Sequence, residues 1–249
     1  MIYPSISIVG DGNVAKVIGH HISKSDLKLV SICSRNSNKS NKLASLWNCK
    51  QEKIESISGD LVLVCVSDDN VIEVIEKIKK DRSIAYCSGS INLDDIDHKN
   101  CGVLYPLQTF SGSEQDLMKK FPLLIESKNE NTKDLLFDIG KKLSKKVIYI
   151  NSEERKHIHL SAIFINNFAN HMVHLGQDYG KKNNLPPDVF NDLIRETFNN
   201  LLSQSAFKAQ TGPARRRDKK TIALHHDLLP DDLKKIYLTI TSSIDKTYN

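Results

Sequence analysis

Residues 6–15 of the chain read Ile6-Ser7-Ile8-Val9-Gly10-Asp11-Gly12-Asn13-Val14-Ala15. A β-branched run leads directly into the pattern Gly-x-Gly-x-x-Ala, and the following residues have helical periodicity. In such a strand-turn-helix unit Gly10 permits the tight turn, Gly12 admits a pyrophosphate close to the backbone, and Ala15 allows close helix packing. The pattern predicts a dinucleotide-binding α/β domain. The alternative is a glycine turn that binds nothing.

Outward from this turn, short β-rich runs alternate with helical stretches over the first 150 residues. This alternation predicts an α/β fold with a doubly wound, Rossmann-type parallel sheet. The predicted strands are Ile6–Val9, Leu29–Cys33, Leu61–Val66, Ser83–Cys87, Leu104–Phe110, Pro122–Ile125 and Val147–Ile150. Helices are predicted over Val14–Ile22, over Asn70–Lys79 and near Asn131–Leu143.

Past Asn151 no run with a period of two occurs, and the remaining residues have helical patterns. Ser152 is the expected N-cap of a helix that extends to about Gly180, and a second helix begins near Pro186-Pro187. Asp218 is expected to cap a third helix, and Pro230-Asp231 to open a fourth. We therefore expect a dinucleotide-binding domain over residues 1–151 and an all-helical domain over residues 152–249.

Composition excludes several protein classes. The chain has 249 residues, of which 39% are hydrophobic, and its longest apolar run is Leu61–Val66, far short of the roughly 18–20 residues of a membrane span. Five cysteines without a CxxC pair argue against a disulfide framework or a zinc site. The net charge of +5 with only 6% aromatic residues favours a solvated basic surface over a nucleic-acid interface. We expect a cytoplasmic protein with a small-molecule substrate, no membrane or nucleic-acid partner and no metal.

The end of the second predicted strand indicates the cofactor. An NAD site has Asp or Glu there, whereas an NADP site has Arg near the 2′-phosphate. This chain has Ser34-Arg35-Asn36, which favours NADP(H), and the alternative is that Arg35 is a solvated loop residue. The predicted cofactor-binding residues are Gly10, Asp11, Gly12, Asn13, Val14, Ser34, Arg35, Asn36, Val66, Ser67, Asp68 and Ser88. For two of these residues an alternative stays open. Asp68 could only cap the following helix, and Ser88 could belong to a plain Ser-Gly turn.

Polar residues recur along the first C-terminal helix. At about 100° per residue, one arc contains His159, Ile163, Asn166, Asn170 and His174, with Asn167 and His171 adjacent. A buried stripe of this kind is costly unless it is satisfied, and it suits a site where His moves a proton and Asn orients a carbonyl. An exposed helix face or a polar dimer seam is the alternative.

Six segments of the chain together carry a resemblance to a known family. They are Ile8–Ala15, Val66–Asp69, Ser88–Ser90, Tyr105–Ser111, His159–Ala162 with Asn167-Phe168 and Asn170-His171, and Thr211–Ala214 with Arg216 and Asp218. In these segments the chain resembles Rossmann-like proteins with a C-terminal domain of unknown function 2520, which are often described as pyrroline-5-carboxylate-reductase-like oxidoreductases. The resemblance implies a dinucleotide-binding domain, a helical dimerisation domain and an active site between them.

A more distant similarity is to the prephenate and β-hydroxyacid dehydrogenase superfamily. It implies that Ser88, Tyr105 and His159 surround the nicotinamide, with Tyr105 in the place of a superfamily histidine. The Lys-x-x-x-Asn pair of the hydroxyacid dehydrogenases is missing here. Tyr86 stands where members of the DUF2520 family commonly have His, and Arg217 where they have Gly.

Together these features predict an NADP-dependent oxidoreductase acting on a small polar, anionic substrate in the crevice between the domains. In this interpretation His159 donates or accepts a proton, Asn166 and Asn167 orient the reacting group, and Ser88 or Tyr105 supplies a hydrogen bond. Arg216, in the run Arg215-Arg216-Arg217, holds the anionic tail, with Asn170 and His171 as further substrate contacts. A solvent-exposed basic turn is the alternative for these arginines.

Two other functions stay open at this point. One is an NADP-binding sensor or scaffold without turnover, and the other, weaker one is nucleic-acid binding through Arg215-Arg216-Arg217. A homodimer is expected because the helical half has more apolar faces than one sheet edge can cover. The residues expected at its interface are Phe164, Phe168, Phe190, Phe198 and Leu201.

Overall fold

A computed structural model of the chain describes residues 4–249. One eight-stranded sheet has the order β3-β2-β1-β4-β5-β6-β7-β8, which confirms the doubly wound Rossmann-type fold. All neighbouring strands are parallel except β6 and β7, which pair antiparallel and depart from the all-parallel prediction. The strands are β1 (Ser5–Val9), β2 (Lys28–Cys33), β3 (Lys50–Gln51), β4 (Leu61–Val64), β5 (Ser83–Tyr86), β6 (Cys101–Pro106), β7 (Leu123–Ser127) and β8 (Val147–Tyr149).

Helices flank the sheet and make up the rest of the chain after β8, as predicted. They are α1 (Asn13–Ser23), α2 (Ser37–Trp47), α3 (Asp68–Glu76), α4 (Glu130–Leu143), α5 (Ser152–Ala162), α6 (Ala169–Lys182), α7 (Asn191–Ser203), α8 (Ala206–Ala209), α9 (Lys219–Leu228) and α10 (Asp231–Tyr248). A π-helical segment, Ile163–Phe168, lies between α5 and α6. Helix α2 and strand β3 are elements that the periodicity did not indicate.

The core lies on both faces of the sheet. All four residues of β4 are completely buried, as expected for a central strand covered on both sides. On one face, α1 packs through its apolar stripe, which includes Ala15, Ile18 and Ile22. The small Ala15 side chain allows the helix to approach the strand closely, as the motif requires.

Several element boundaries differ by a few residues from the sequence-based expectation, and two of the differences have a clear local cause. Strand β6 ends at Pro106 rather than continuing to Phe110, because its partner strand is preceded by Pro122, which has no N–H for the ladder. Helix α5 is capped by Asn151 and not by Ser152: the Asn151 side chain accepts from the Glu154 N–H, and Glu154 accepts from the Asn151 N–H.

The chain forms two compact units, residues 1–170 and residues 171–249, of which the first is described from residue 4. The sequence-based boundary at residue 151 marks where the strands end, and the division into compact units falls later, within α6. Over residues 4–249 no helix has the length and apolarity that crossing a membrane requires. All five cysteines are free.

Candidate active site

The two glycines of the first turn have different surroundings. Gly10 has a φ of +126°, its N–H donates to the Cys33 carbonyl at 2.8 Å, and a Cβ added to it would lie 2.2 Å from the Cys65 carbonyl oxygen. Gly12 has an ordinary φ of −73°, and a Cβ added there would meet nothing within 4 Å. The fold itself therefore requires Gly10, whereas the open space at Gly12 suits a ligand that approaches the backbone.

A cavity of about 570 Å³ opens beside this turn, at the carboxyl ends of β1, β2 and β4. We call it the glycine-turn cavity. The N-terminus of α1 begins here with Gly12 as N-cap, without a side-chain cap and without an acidic residue in its first turn. Its free N–H groups and helix dipole suit a pyrophosphate. Eight predicted cofactor-binding residues line the cavity: Gly10, Asp11, Gly12, Ser34, Arg35, Asn36, Val66 and Ser67.

The end of β2 forms one wall of the glycine-turn cavity. Asn36 caps α2 by accepting from the Lys39 N–H at 3.0 Å, and this brings Lys39, which sequence reasoning did not identify, into the lining. Arg35 is exposed and makes no hydrogen bond or ion pair within the part of the chain that the structure describes.

Two carboxylates of the same lining are already engaged. Glu73 pairs with Lys77 at 2.5 Å, and Glu52 accepts from the N–H and the hydroxyl of Ser58. Lys77, and to a smaller extent Arg35, lowers the pKa of Glu73. Among the described residues the lining also has unpaired side chains of both signs, the cations Arg35, Lys39 and Lys53 and the carboxylates Asp11 and Glu55, so the uncommitted cations exceed the uncommitted carboxylates by one.

Four predicted cofactor-binding residues lie elsewhere. Asn13 donates to the Phe110 carbonyl, and Val14 lines a second cavity. Asp68 accepts from the Ser90 hydroxyl, in the first turn of α3 rather than as its cap. Ser88 is buried, and its hydroxyl accepts from the N–H groups of Ser90 and Ile91. The Ser88 hydroxyl thus stabilises its own turn.

The second cavity, of about 750 Å³, contains most of the predicted catalytic groups, and we call it the His159 cavity. Tyr105, His159, Asn166 and Asn167 all line it. The Tyr105 hydroxyl lies 2.9 Å from His159 Nδ1, and the two rings meet edge to face. Burial raises the pKa of the Tyr105 phenol, and the Asp68 carboxylate raises it further, so the hydroxyl keeps its proton at neutral pH.

Gly89 permits this close packing. A Cβ at Gly89 would lie 2.6 Å from His159 Nδ1 and 3.0 Å from Tyr105 Cζ. Because Gly89 has no side chain, the turn after β5 leaves room for the His159 and Tyr105 rings to pack against each other and against its main chain. This contribution differs from the one that was predicted for this turn, a hydrogen bond from the Ser88 hydroxyl.

Both asparagines lie in the π-helical segment Ile163–Phe168. Its wider turn places Asn166 and Asn167 together in the cavity lining, whereas Asn170, predicted on the same arc, is exposed and outside it. Neither Asn166 nor Asn167 makes a side-chain hydrogen bond within residues 4–249. Their amide groups are free to orient a bound molecule.

A buried arginine anchors the helix that carries His159. Arg155 is fully buried and forms an ion pair with Glu126 on β7, and its guanidinium also donates to the Ile91 carbonyl and the Tyr86 hydroxyl. Arg155 precedes His159 by one helical turn, so this network fixes the start of α5 on β5 and β7. Sequence reasoning missed it because arginine is almost never fully buried and the first turn of a helix is usually solvated.

Comparison with known proteins agrees with this architecture. Residues 5–85 match the family model described as NADP oxidoreductase coenzyme F420-dependent. Residues 121–244 match the model of the domain of unknown function DUF2520. The chain is a Rossmann-like DUF2520 protein.

Solved structures similar to this DUF2520 protein span its whole length. A candidate NADP oxidoreductase from Bacteroides fragilis is 28% identical, covers 98% of each chain and has a TM-score of 0.85. A protein from Thermotoga maritima (19% identity, 97% of each chain, TM-score 0.76) shares the fold. So does 1-pyrroline-5-carboxylate reductase from Streptococcus pyogenes (14% identity, 100% of this chain and 98% of that one, TM-score 0.66). No curated protein sequence matches the chain.

The family matches support an NAD(P)-dependent oxidoreductase with a nicotinamide cofactor. Two predicted substrate contacts of this DUF2520 protein, His171 and Arg216, lie in the second compact unit, and both are exposed. Arg215 donates to the Gln210 carbonyl and lies over the Tyr248 ring, and Arg217 pairs with Asp245 at 3.0 Å. Of the three consecutive arginines only Arg216 has a side chain without a hydrogen bond or ion pair among the described residues.

Proposed function

We propose that this protein is an NADP(H)-dependent oxidoreductase that transfers a hydride to or from a small polar, anionic substrate. The observation that carries the proposal is that α1 begins between two cavities. Gly12 lines the glycine-turn cavity and Val14, two residues later, lines the His159 cavity. A dinucleotide whose pyrophosphate lies on the first turn of α1 has one half on each side of this helix end.

The residues present fit such a cofactor. The open space at Gly12 admits the pyrophosphate, and the uncommitted Arg35 and Lys39 offer cations to a 2′-phosphate. When bound, the nicotinamide supplies or accepts the hydride. The Arg216 guanidinium is exposed and unpaired while its two neighbours are engaged within their own unit, so it is available to an anionic group.

His159 is assigned the proton transfer. In the tautomer in which the Tyr105 hydroxyl donates to Nδ1, the proton of a neutral imidazole is on Nε2, where it can be given to a carbonyl or imine that receives a hydride. In the reverse direction Nε2 accepts that proton. The free carboxamides of Asn166 and Asn167 orient the reacting group in the same cavity.

Arg35→Ala tests the cofactor assignment. Loss of one charge-assisted hydrogen bond, worth about 1.5–3 kcal/mol, is expected to weaken NADPH binding roughly 10- to 100-fold and to leave NADH binding unchanged. Calorimetric titration with both nucleotides measures this. Lys42→Ala, which removes a lysine of α2 outside the cavity lining, is the matched control and should affect neither affinity. Equal losses for both nucleotides would contradict a 2′-phosphate contact.

His159→Ala tests catalysis. We expect turnover to fall about 100- to 10,000-fold, the usual contribution of a positioned acid or base. NADPH affinity should remain within a few-fold of the wild-type value, since the proposed pyrophosphate and 2′-phosphate contacts lie in the glycine-turn cavity, which His159 does not line. The measurement is NADPH oxidation with a panel of imines and oxoacids, and NADP+ reduction with the corresponding amines and hydroxyacids. NADPH binding without turnover of any compound by the wild-type protein would favour the sensor or scaffold function.

A homodimer is part of the proposal. Phe164, Phe168, Phe198 and Leu201 expose between 40% and 62% of their surface, an unusual exposure for large apolar side chains. A second copy of the chain that covers them stabilises the helical region. Light scattering at micromolar concentration is expected to give twice the mass of the 28.1 kDa chain, and a monomer would refute this part of the proposal.

A further inference from the structure

Asn13 connects the first turn of α1 to a loop of the other cavity. Its side-chain Nδ2 donates to the Phe110 carbonyl at 2.9 Å. A Cβ added to Gly112 would lie 2.9 Å from the Asn13 Oδ1, and Gly112 has a φ of +89°, which favours glycine. The Asn13 amide group therefore lies closely against the main chain of residues 110–112.

The segment that Asn13 holds, which we call the 107–112 loop, is a wall of the His159 cavity. Four of its residues line that cavity: Leu107, Gln108, Thr109 and Phe110. Two further side chains fix the same loop. Lys119 donates to the Thr109 carbonyl at 2.9 Å, and Asp116 accepts from the Gly112 N–H at 2.7 Å. Of these three side chains only Asn13 belongs to the helix end that faces the glycine-turn cavity.

We propose that Asn13 is a positioning residue that couples nucleotide binding to the order of the 107–112 loop. The inference rests on the proposed function, because it requires a nucleotide on the first turn of α1. A phosphate bound to the N–H groups of this turn restrains the Asn13 backbone and, through Nδ2, the Phe110 carbonyl. The wall of the substrate site is thus completed once the cofactor is in place.

The coupling has a thermodynamic consequence. If bound nucleotide raises the population of the ordered loop by some factor, then ordering of the loop raises the affinity for the nucleotide by the same factor. One neutral hydrogen bond, at about 1 kcal/mol, limits this factor to roughly five-fold. A substrate that contacts the 107–112 loop should therefore bind up to about five-fold more tightly once NADPH is bound, because a substrate that meets the free protein must order the loop itself.

Hydrogen exchange tests the coupling without a known substrate. Peptides spanning the 107–112 loop are followed by mass spectrometry in the full-length protein, with and without saturating NADPH. In the wild type we expect NADPH to slow exchange in this loop by about five-fold. In Asn13→Ala we expect NADPH to bind, as calorimetry would show, without slowing exchange in the loop.

Lys119→Ala is the matched control, since it removes a different side-chain hydrogen bond to the same loop, the one that the Thr109 carbonyl accepts. It should raise exchange with and without NADPH and keep the slowing caused by the nucleotide. Retained slowing in NADPH-saturated Asn13→Ala, or none in the NADPH-saturated wild type, would overturn the coupling. So would an Asn13→Ala protein that NADPH cannot saturate, because Asn13 would then be a nucleotide ligand. A wild-type protein that binds no NADPH would instead overturn the proposed function and remove the basis of the coupling.

Discussion

Gly12→Ala is expected to weaken NADPH binding by at least about ten-fold while the protein remains as stable as the wild type. The added methyl group meets no protein atom within 4 Å and the φ of −73° suits alanine, so the fold tolerates it. Replacing glycine at such a position can even raise stability by about 0.4–1 kcal/mol through the unfolded state. The methyl group does, however, occupy the space through which a pyrophosphate reaches the N–H groups of α1.

Gly10→Ala provides the contrast within the same turn. Its Cβ would overlap the Cys65 carbonyl oxygen, and alanine strongly disfavours a φ of +126°. The backbone conformation alone costs about 1–3 kcal/mol, so urea unfolding should show a clear loss of stability. Calorimetry and urea unfolding of both variants separate the ligand-binding glycine from the structural one. Undiminished NADPH binding by Gly12→Ala would show that the pyrophosphate does not lie at this turn.

Arg155→Met is expected to destabilise the protein by about 3–5 kcal/mol, the cost of leaving one partner of a buried ion pair without its counter-charge. The Glu126 carboxylate is 92% buried and would keep only the Ser152 hydroxyl, which donates to it at 2.7 Å. Arg155 itself is completely buried, and burial lowers its pKa, although the guanidinium stays charged at neutral pH. Urea unfolding of the full-length protein measures the loss.

The double variant Arg155→Met with Glu126→Gln identifies the cause. It removes both charges and keeps an oxygen for Ser152, so most of the lost stability should return. Lys156→Met is the surface control: Lys156 pairs with Glu153 at 3.1 Å in solvent, and its loss should change stability by less than about 0.5 kcal/mol. A double variant as unstable as Arg155→Met would point to lost packing around Arg155 instead of an unpaired charge.

This network also matters for the active site. The His159 ring is fixed from two sides, by the Tyr105 hydroxyl and by the close approach of Gly89. Its helix, α5, is in turn fixed by Arg155 one turn earlier. Tyr86, which stands where family members commonly have His, is part of this anchor: its hydroxyl accepts from Arg155 and donates to the Ile91 carbonyl.

The strand-turn-helix unit and the overall fold could be predicted from local sequence. Glycines at fixed spacing, an apolar run at Leu61–Val64 and helical periodicity after Asn151 are each properties of neighbouring residues, and each is confirmed. The antiparallel β7 escaped prediction because strand direction is set by pairing between distant segments, which leaves no local pattern.

The candidate site shows the same limit. Helical spacing selected His159 and Asn166, and the family resemblance selected Tyr105; all three line one cavity. The helical arc that included Asn170 assumed a regular α-helix, and the π-helical segment changes that phase. Arg155 and Lys39 were missed because burial and proximity to β2 depend on tertiary packing. The sequence alone thus determined most of the elements and which chemical groups are available, through short-range geometry, although α2 and β3 left no clear pattern. Tertiary structure alone decided which groups meet, since contacts across tens of residues depend on how the strands and helices pack.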